Sequence, residues 1–195
     1  MILVITGLPG AGKTTLLNEV SKNNGDLIII SFGSLMLEVA QKEFGIQHRD
    51  EMRKKLTAEQ IEYLQELAVD RINEIEKENP DKIILVDTHA SVKTPYGFMP
   101  GIHDIMLQKM KIKGFIYITT DHEEILERRR RDASRYRDLE DILHLRLHDN
   151  MNLAVLTACS IRIGSPVKII LNREGKLQEA VKELEELLNA WKQSS

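Results

Sequence analysis

Short runs of consecutive apolar residues, rich in β-branched side chains, recur along the chain with longer stretches between them. Five such runs predict strands, at residues 2–6, 27–32, 82–87, 115–119 and 167–172. Runs without an alternating polar face are typical of strands that are covered on both sides. The pattern therefore predicts a sheet whose two faces are both buried.

The stretches between these runs carry apolar residues at spacings of three and four. In residues 57–78, for example, Ile61, Leu64, Ala68 and Ile72 share one face of a helix. The same reasoning predicts helices over about 12–23, 57–78, 121–131, 139–160 and 177–191. Asp121 is a good N-cap for the third of these helices, and the arginines at its end suit the negative pole of the helix dipole.

Strands that alternate with helices favour an α/β fold with a parallel sheet and helices on both faces, because parallel neighbours need crossover connections. Ligands of such sheets bind at the carboxyl ends of the strands. The residues that follow the first four strands, at 7–15, 33–34, 87–95 and 120–121, are therefore expected in one crevice.

The composition narrows the classes of protein that fit this pattern. The 195 residues are expected to form a single domain over 1–195, since neither a linker nor a repeat interrupts them. No segment has the roughly 18 consecutive apolar residues of a membrane span, so we expect a cytoplasmic protein without a membrane partner. With 27 basic and 30 acidic residues, the chain has no bulk basic field, and no nucleic-acid partner is expected. The single cysteine, Cys159, excludes an internal disulfide.

Candidate chemistry begins directly after the first strand. Residues 7–14 read GLPGAGKT, a full match to the phosphate-loop pattern between a predicted strand and a predicted helix. The loop residues predicted to bind ATP are Gly7, Leu8, Pro9, Gly10, Ala11, Gly12, Lys13, Thr14 and Thr15. In such a loop, backbone N–H groups surround phosphate oxygens, Lys13 contacts the β- and γ-phosphates, and the Thr14 hydroxyl binds Mg²⁺. The motif indicates binding of a nucleoside triphosphate and leaves the reaction open.

A carboxylate and a histidine follow the third strand. Asp87 ends the run Ile83–Val86, where a charge is costly unless it faces the crevice, and an aspartate at this point holds Mg²⁺ in many phosphate-loop proteins. The alternative is that Asp87 caps the turn that follows. His89 is interpreted as a positional hydrogen-bonding residue rather than as a general base.

Six arginines fall within residues 128–137, which read RRRRDASRYR. Arg128, Arg135 and Arg137 are candidates to close over the phosphates, because phosphoryl transfer concentrates negative charge that guanidinium groups stabilise. Arginines that follow one another on a helix cannot all face one ligand. A solvated basic helix end is therefore the alternative interpretation.

Six segments together resemble the archaeal adenylate kinase family, and the resemblance covers nearly the whole chain. They are GLPGAGKTT at 7–15, FGSLMLEVA at 32–40, RDEMRKKL at 49–56, DTHASVKTPYGFMPG at 87–101, RDASRYRD at 131–138 and VKIILNREG at 167–175. The segments at 87–101 and 131–138 are the specific ones, since a phosphate loop alone occurs in many families.

This resemblance implies a P-loop nucleoside monophosphate kinase fold with a five-stranded parallel sheet flanked by helices, a helical NMP-binding insert at 33–80 and a short lid at 128–140. It implies the reaction ATP + AMP ⇌ 2 ADP with Mg²⁺ as cofactor, and a homotrimer. It also implies that Thr14 and Asp87 lie by the metal, that Gly33, Arg53, Asp87 and His89 face the substrates, and that Lys13, Arg128, Arg135 and Arg137 act in transfer.

Two positions depart from the family pattern. Proline stands in the family where His103 follows Pro100-Gly101-Ile102, and an additional lysine, Lys55, lengthens the segment at 49–56. The alternative functions are a kinase for another nucleoside monophosphate or small molecule, and a nucleotide-operated switch or ATPase.

Overall fold

A computed structural model describes residues 1–131 and 142–193, apart from the side chains of Asp50 and Arg53. In these ranges the strands are β1 (Ile2–Gly7), β2 (Leu27–Ser31), β3 (Ile83–Asp87), β4 (Ser91–Thr94), β5 (Gly97–Pro100), β6 (Ile112–Thr119) and β7 (Val167–Leu171). The helices are α1 (Lys13–Asn23), α2 (Phe32–Phe44), α3 (Arg49–Lys55), α4 (Ala58–Glu78), α5 (Asp104–Lys109), α6 (His122–Arg131), α7 (Ile142–Ile163) and α8 (Leu177–Gln193).

The main sheet has five strands that are all parallel, as the alternation of strands and helices predicts, and their order is β2-β3-β1-β6-β7. The chain leaves β1 for the outer strand β2, returns to β3 beside β1, and then crosses to β6 on the other side. Open parallel sheets bind ligands where the direction of winding changes, at the carboxyl ends of the strands. This position lies between β1 and β3.

The central strands β1, β3 and β6 bury side chains on both faces, which explains their continuous apolar runs. The edge strands differ from the prediction of full burial, since β2 is half-buried and Ile169 and Leu171 of β7 are exposed. Leu3 and Ile5 belong to a core cluster with residues of α1 and α8, whereas Val4 belongs to a second cluster with residues of α4, α5 and α7. All three side chains have no exposed surface. The sheet therefore provides a rigid base for the loops at its carboxyl edge.

The helices α2, α3 and α4 lie between β2 and β3 in the sequence, and α2 and α4 also contribute to the core cluster that contains Val4. A third core cluster joins them, and its buried members are Ala40, Ile46, Met52 and Leu64. The start of α4 is fixed by a capping box, in which Gln60 N donates to Thr57 Oγ1 (3.2 Å) and Thr57 N donates to Gln60 Oε1 (2.9 Å).

Three local predictions differ from the structure. The strand predicted at 27–32 ends at Ser31, because Phe32 opens α2 and buries its ring there, so Gly33 lies in the first turn of a helix. The hairpin β4–β5 was not predicted, because its strands have only four residues each. It turns between Thr94 and Gly97, and the φ of Gly97 is +120°. The helix predicted at 139–160 continues to Ile163, and residues 139–141 lie outside the described ranges.

None of the helices in the described ranges combines the length and apolar character needed to cross a bilayer.

Candidate active site

The loop at residues 7–15 connects β1 to α1 at the centre of the carboxyl edge. Gly10 and Gly12 have φ of +100° and +80°, in the left-handed region where a side chain is strained. These two residues turn the backbone around the head of α1, whose first N–H groups have no partner within the helix. The loop therefore presents amide hydrogens and the positive pole of the helix dipole, a combination that binds phosphate.

Two polar side chains from other elements hold this loop by its carbonyl oxygens. Asn172, directly after β7, is buried, and its Nδ2 donates to the Ala11 carbonyl at 2.9 Å. Arg129, on α6, donates from Nε (3.1 Å) and Nη2 (2.6 Å) to the Pro9 carbonyl. These contacts fix the course of the loop. The amides of Leu8 and Ala11 are engaged within the protein, by the carbonyls of Ile118 (3.3 Å) and Leu8 (2.9 Å), so the remaining loop amides are the ones that can face a ligand.

Neither contact was predicted from the sequence. A signal was present at Asn172, because an amide directly after an apolar strand falls at the carboxyl edge of the sheet. Nothing in the run of four arginines distinguishes Arg129 from its neighbours.

Lys13 and Asp87 meet at the centre of the crevice. Asp87 is the last residue of β3, level with Ile5 of β1 and Ser31 of β2, and its Oδ1 accepts a hydrogen bond from Lys13 Nζ. Burial lowers the pKa of Lys13 to about 8, despite the carboxylate beside it. The structure thus brings these two predicted site residues together.

The predicted metal residues supply the ligand type that Mg²⁺ prefers. Thr14 is exposed at the head of α1 and offers a hydroxyl, and Asp87 offers a carboxylate with a side chain 23% exposed. No group of three or more His, Cys, Asp or Glu residues in the described part of the chain is arranged to hold a metal. This donor set fits an ion that keeps waters and takes its remaining ligands from phosphate oxygens.

Arg128 is held by residues that follow β7, on the side of the phosphate loop opposite to β3. Its Nε donates to Glu174 Oε2 (3.0 Å), and its Nη2 donates to the Asn172 carbonyl (2.9 Å). It lies close to Gly12, since a Cβ on that residue would come within 3.3 Å of Arg128 Nη1. The other two arginines of the predicted transfer set, Arg135 and Arg137, lie outside the described residues.

A second part of the crevice begins at the carboxyl end of β2. Gly33 lies in the first turn of α2, and Arg49 from the start of α3 lies over it, with Nη2 donating to Ser34 Oγ at 2.8 Å. A Cβ on Gly33 would come within 3.3 Å of the Arg49 guanidinium carbon. The side chain of Arg53, the predicted substrate residue in α3, lies outside the described residues. Arg49 was not predicted, because the charged run at 49–55 does not show which of its basic residues faces the crevice.

Behind the crevice, a buried polar network fixes the segment that follows Asp87. Asn152 of α7 accepts hydrogen bonds from Ser91 N (3.0 Å) and Ser91 Oγ (2.6 Å), and donates to Tyr117 Oη (3.1 Å). Tyr117 in turn donates to Asp149, and burial raises the pKa of its hydroxyl. The network anchors the hairpin β4–β5 and the turn that carries His89.

Comparison with known proteins agrees with this geometry. A family model described as an AAA domain matches residues 6–146. The structure is similar to a shikimate kinase from Bacteroides thetaiotaomicron, with a TM-score of 0.57 over 97% of this chain and 98% of that one. Sequence identity to it is 15%, so this likeness concerns the fold alone. The predicted P-loop kinase fold is confirmed.

Curated relatives match nearly the full length. An adenylate kinase from Thermoplasma acidophilum is 41% identical over 93% of this chain and 94% of its own length. Those of Pyrobaculum aerophilum and Methanocaldococcus jannaschii are 39% and 37% identical over 90% and 96% of this chain. The identity and coverage show that the chain belongs to the adenylate kinase family, as its sequence motifs predict.

Proposed function

We propose that the chain transfers the γ-phosphoryl group of ATP to AMP, giving two ADP, and that the reverse reaction uses the same site. The observation that carries this proposal is the arrangement of groups along one crevice. The phosphate loop lies at one end, the Arg49 guanidinium lies at the other, and the contact between Lys13 and Asp87 lies between them. Neighbouring strands of a sheet are roughly 4.8 Å apart, so the ends of β1 and β2, two strands apart, are about 10 Å from each other. Two nucleotides with adjoining phosphates fit such a separation.

On the donor side, residues 7–15 cradle the ATP phosphates and Lys13 stabilises charge on the transferred group. The attacking oxygen of AMP is already ionised, so the reaction needs no general base. Positioning and electrostatic stabilisation are the main contributions that a protein makes to phosphoryl transfer. The contact of Lys13 with Asp87 holds the ammonium group at the crevice before ATP binds.

Thr14 and Asp87 would hold Mg²⁺ together with phosphate oxygens of ATP. When bound, the ion neutralises charge on the β- and γ-phosphates. The carboxylate of Asp87 would then have two cationic neighbours, Lys13 and the metal.

On the acceptor side, we assign AMP to the insert at 33–80, with Gly33, Arg53, Asp87 and His89 facing the substrates. The buried cluster that joins α2, α3 and α4 supports treating this insert as one unit. For the lid at 128–140, we assign Arg128, Arg135 and Arg137 to closure over the phosphates. To reach them, Arg128 would leave the Glu174 carboxylate and donate hydrogen bonds to a phosphate. The phosphate oxygens are the stronger hydrogen-bond acceptors at the moment of transfer, because negative charge develops on them.

A panel of acceptors supplied with [γ-³²P]ATP and Mg²⁺ tests the proposal. We expect labelled ADP to appear with AMP, and much less label to reach CMP, dTMP or a small alcohol. Preferential labelling of one of those acceptors would identify a kinase for another substrate. Release of labelled phosphate at one rate with and without AMP would identify an ATPase or switch.

We further propose that the chain forms a homotrimer through α7. This helix has apolar residues on the face away from the core as well as on the buried face, and the exposed ones recur every three or four residues: Leu143, Leu147, Met151, Ala154, Ala158 and Ile161. A second copy of the chain would cover this stripe.

Sedimentation velocity tests the assembly. The unaltered protein is expected to sediment as a trimer, and Leu147→Glu, which places a charge on the stripe, is expected to give monomers. The matched control is Tyr96→Glu on the hairpin, where the side chain is 99% exposed. A monomeric unaltered protein would overturn the proposal, as would a trimer that Leu147→Glu leaves intact.

A further inference from the structure

A group of charged side chains lies beside the phosphate loop, where α6 ends and the chain leaves β7. Glu174 is its acidic member, and each of its carboxylate oxygens accepts a hydrogen bond from one arginine of α6. Oε2 accepts from Arg128 Nε at 3.0 Å, and Oε1 accepts from Arg131 Nη1 at 3.2 Å. One carboxylate thus engages two of the four consecutive arginines, including the one that we assign to closure over the phosphates.

The turn that carries Glu174 is fixed by its backbone. The Glu174 N–H donates to Glu124 Oε2 at 2.9 Å, and the same oxygen accepts from the hydroxyl of Thr120, a buried residue, at 2.6 Å. Gly175, the next residue, has a φ of +71°, a conformation that glycine adopts without strain. The fold therefore keeps Glu174 at this place, although its side chain is 55% exposed.

Arg128 connects this carboxylate to the phosphate loop. Its Nη2 donates to the Asn172 carbonyl, and the Asn172 side chain donates to the Ala11 carbonyl within the loop. Its Nη1 would lie 3.3 Å from a Cβ on Gly12, the residue that precedes α1. A phosphate bound by the loop amides therefore lies close to the guanidinium that Glu174 engages.

Glu174 and a phosphate are competing acceptors for this guanidinium. The Arg128 guanidinium lowers the pKa of the Glu174 carboxyl, so the side chain is an anion at neutral pH. Arginine binds carboxylate and phosphate through the same N–H groups, so a phosphate that takes Arg128 Nε displaces Glu174. The exchange costs little, because ion pairs with an exposed partner contribute little to stability, whereas a buried pair is costly to separate.

We propose that Glu174 competes with the phosphates of ATP for Arg128 and thereby sets how tightly the protein binds ATP. While the loop is empty, the carboxylate holds Arg128 and Arg131. When ATP binds, its phosphates take Arg128, and the arginine returns to Glu174 as the nucleotide leaves. The inference rests on the proposed function and adds to it a resident anion that favours release of nucleotide at each turnover. Glu174 acts through Arg128 and is a positioning residue.

Calorimetric titration at fixed ionic strength, with Mg²⁺ present, tests the competition. Glu174→Gln keeps the shape of the side chain and removes its charge. We expect the Kd for ATP to fall about two- to sixfold, the factor that applies if an exposed ion pair leaves about one half to one sixth of the protein ready to bind. Inorganic tripolyphosphate offers the phosphates without the nucleoside, and its Kd should fall by the same factor.

A double variant shows whether Glu174 acts through Arg128. In an Arg128→Met background, Glu174→Gln should leave the Kd for ATP unchanged, because the contested guanidinium is gone. The matched control is Glu179→Gln, which removes the same charge five residues further on, where Glu179 pairs with Lys176. This control should keep the native Kd. Thermal unfolding checks that each variant is folded.

Several results would overturn the inference. Unchanged ATP binding by Glu174→Gln would remove the residue from the donor site, and weaker binding would mean that the carboxylate holds Arg128 ready for ATP. Equal tightening in Glu179→Gln would reflect net charge, and tightening that persists in the Arg128→Met background would exclude action through Arg128. Tightening for ATP without tightening for tripolyphosphate would place Glu174 at the nucleoside. Each result leaves the proposed function standing if the unaltered protein forms ADP from ATP and AMP, whereas an unaltered protein that binds no ATP overturns both.

Discussion

The donor and acceptor ends of the crevice are built in different ways. At the donor end, the loop after β1 is fixed by its own backbone and by contacts from residues more than a hundred positions away: Arg129 holds Pro9 and Asn172 holds Ala11. At the acceptor end, Arg49 has one hydrogen-bond partner among the described residues, the exposed hydroxyl of Ser34, and the supporting core cluster is small.

This difference matches what each end has to do. A triphosphate needs many donors in fixed positions, and a preorganised backbone supplies them without reorganisation at the moment of transfer. The acceptor site must admit and release a nucleotide at each turnover, and elements with few buried contacts are the ones that move. The comparison predicts that substitutions at the donor end reduce kcat or stability, whereas those at the acceptor end reduce affinity for AMP.

The largest expected effect is at Lys13. Lys13→Met should lower kcat on the order of 10³-fold, the loss that follows removal of one preorganised group that stabilises the transition state. The fold should be retained, which circular dichroism would show. Lys22→Met, at the exposed end of the same helix, is the control and should have native kcat. A Lys13→Met protein with near-native kcat would remove this residue from the mechanism.

Arg49→Ala tests the acceptor end. A guanidinium that hydrogen-bonds a phosphate contributes about 1.5–3 kcal/mol, so the KM for AMP should rise by roughly 10- to 150-fold. The KM for ATP should stay the same, since the loop is formed by other elements. Arg71→Ala is the control, because Arg71 lies on the same insert and pairs with Glu74 at the surface. Equal changes in both KM values would mean that the two ends are not independent.

Asn172→Ala tests whether the donor loop depends on its buried anchor. Ala11 has no exposed surface, so loss of the Asn172 amide leaves a buried carbonyl oxygen without this donor. We expect a loss of about 1–3 kcal/mol in the free energy of unfolding, measured by urea titration, and a rise in the KM for ATP. Asn18→Ala, at an exposed position of α1, should change neither. A rise in the KM for AMP alone would contradict the assignment of Asn172 to the donor end.

The two ends also differ in how far the sequence predicts them. The place of the phosphate loop between β1 and α1 was predicted from its motif, and the positive φ of Gly10 and Gly12 and the position of Lys13 at the helix start agree with that local chemistry. The five strands and their parallel arrangement followed from the apolar runs and their alternation with helices. The structure confirms burial on both faces for the central strands, whereas Ile169 and Leu171 of the edge strand β7 are exposed.

Contacts between distant residues were not predicted. Asn172, Arg129 and Arg49 act through partners that only the folded chain brings near. The start of α2 was missed for a related reason, since Phe32 continues the apolar run of β2 and is buried equally well as the first residue of a helix. An apolar pattern predicts which residues are buried, but it predicts the boundary between a strand and the following helix less accurately.

The smallest expected effect concerns pH and the donor end alone. Because the pKa of Lys13 in the free protein is about 8, its charge is lost as the pH rises through that value. The kcat/KM for ATP reports the free protein, so it should fall about threefold between about pH 7.5 and 8.5. Phosphates bound beside Lys13 favour its charged form and raise its pKa, so kcat should stay level over the same range.

Lys13→Arg should remove the fall in kcat/KM, since a guanidinium stays protonated throughout. A decline that persists in this variant would assign the titration to another group, and a decline in the kcat/KM for AMP at saturating ATP would place that group at the acceptor end.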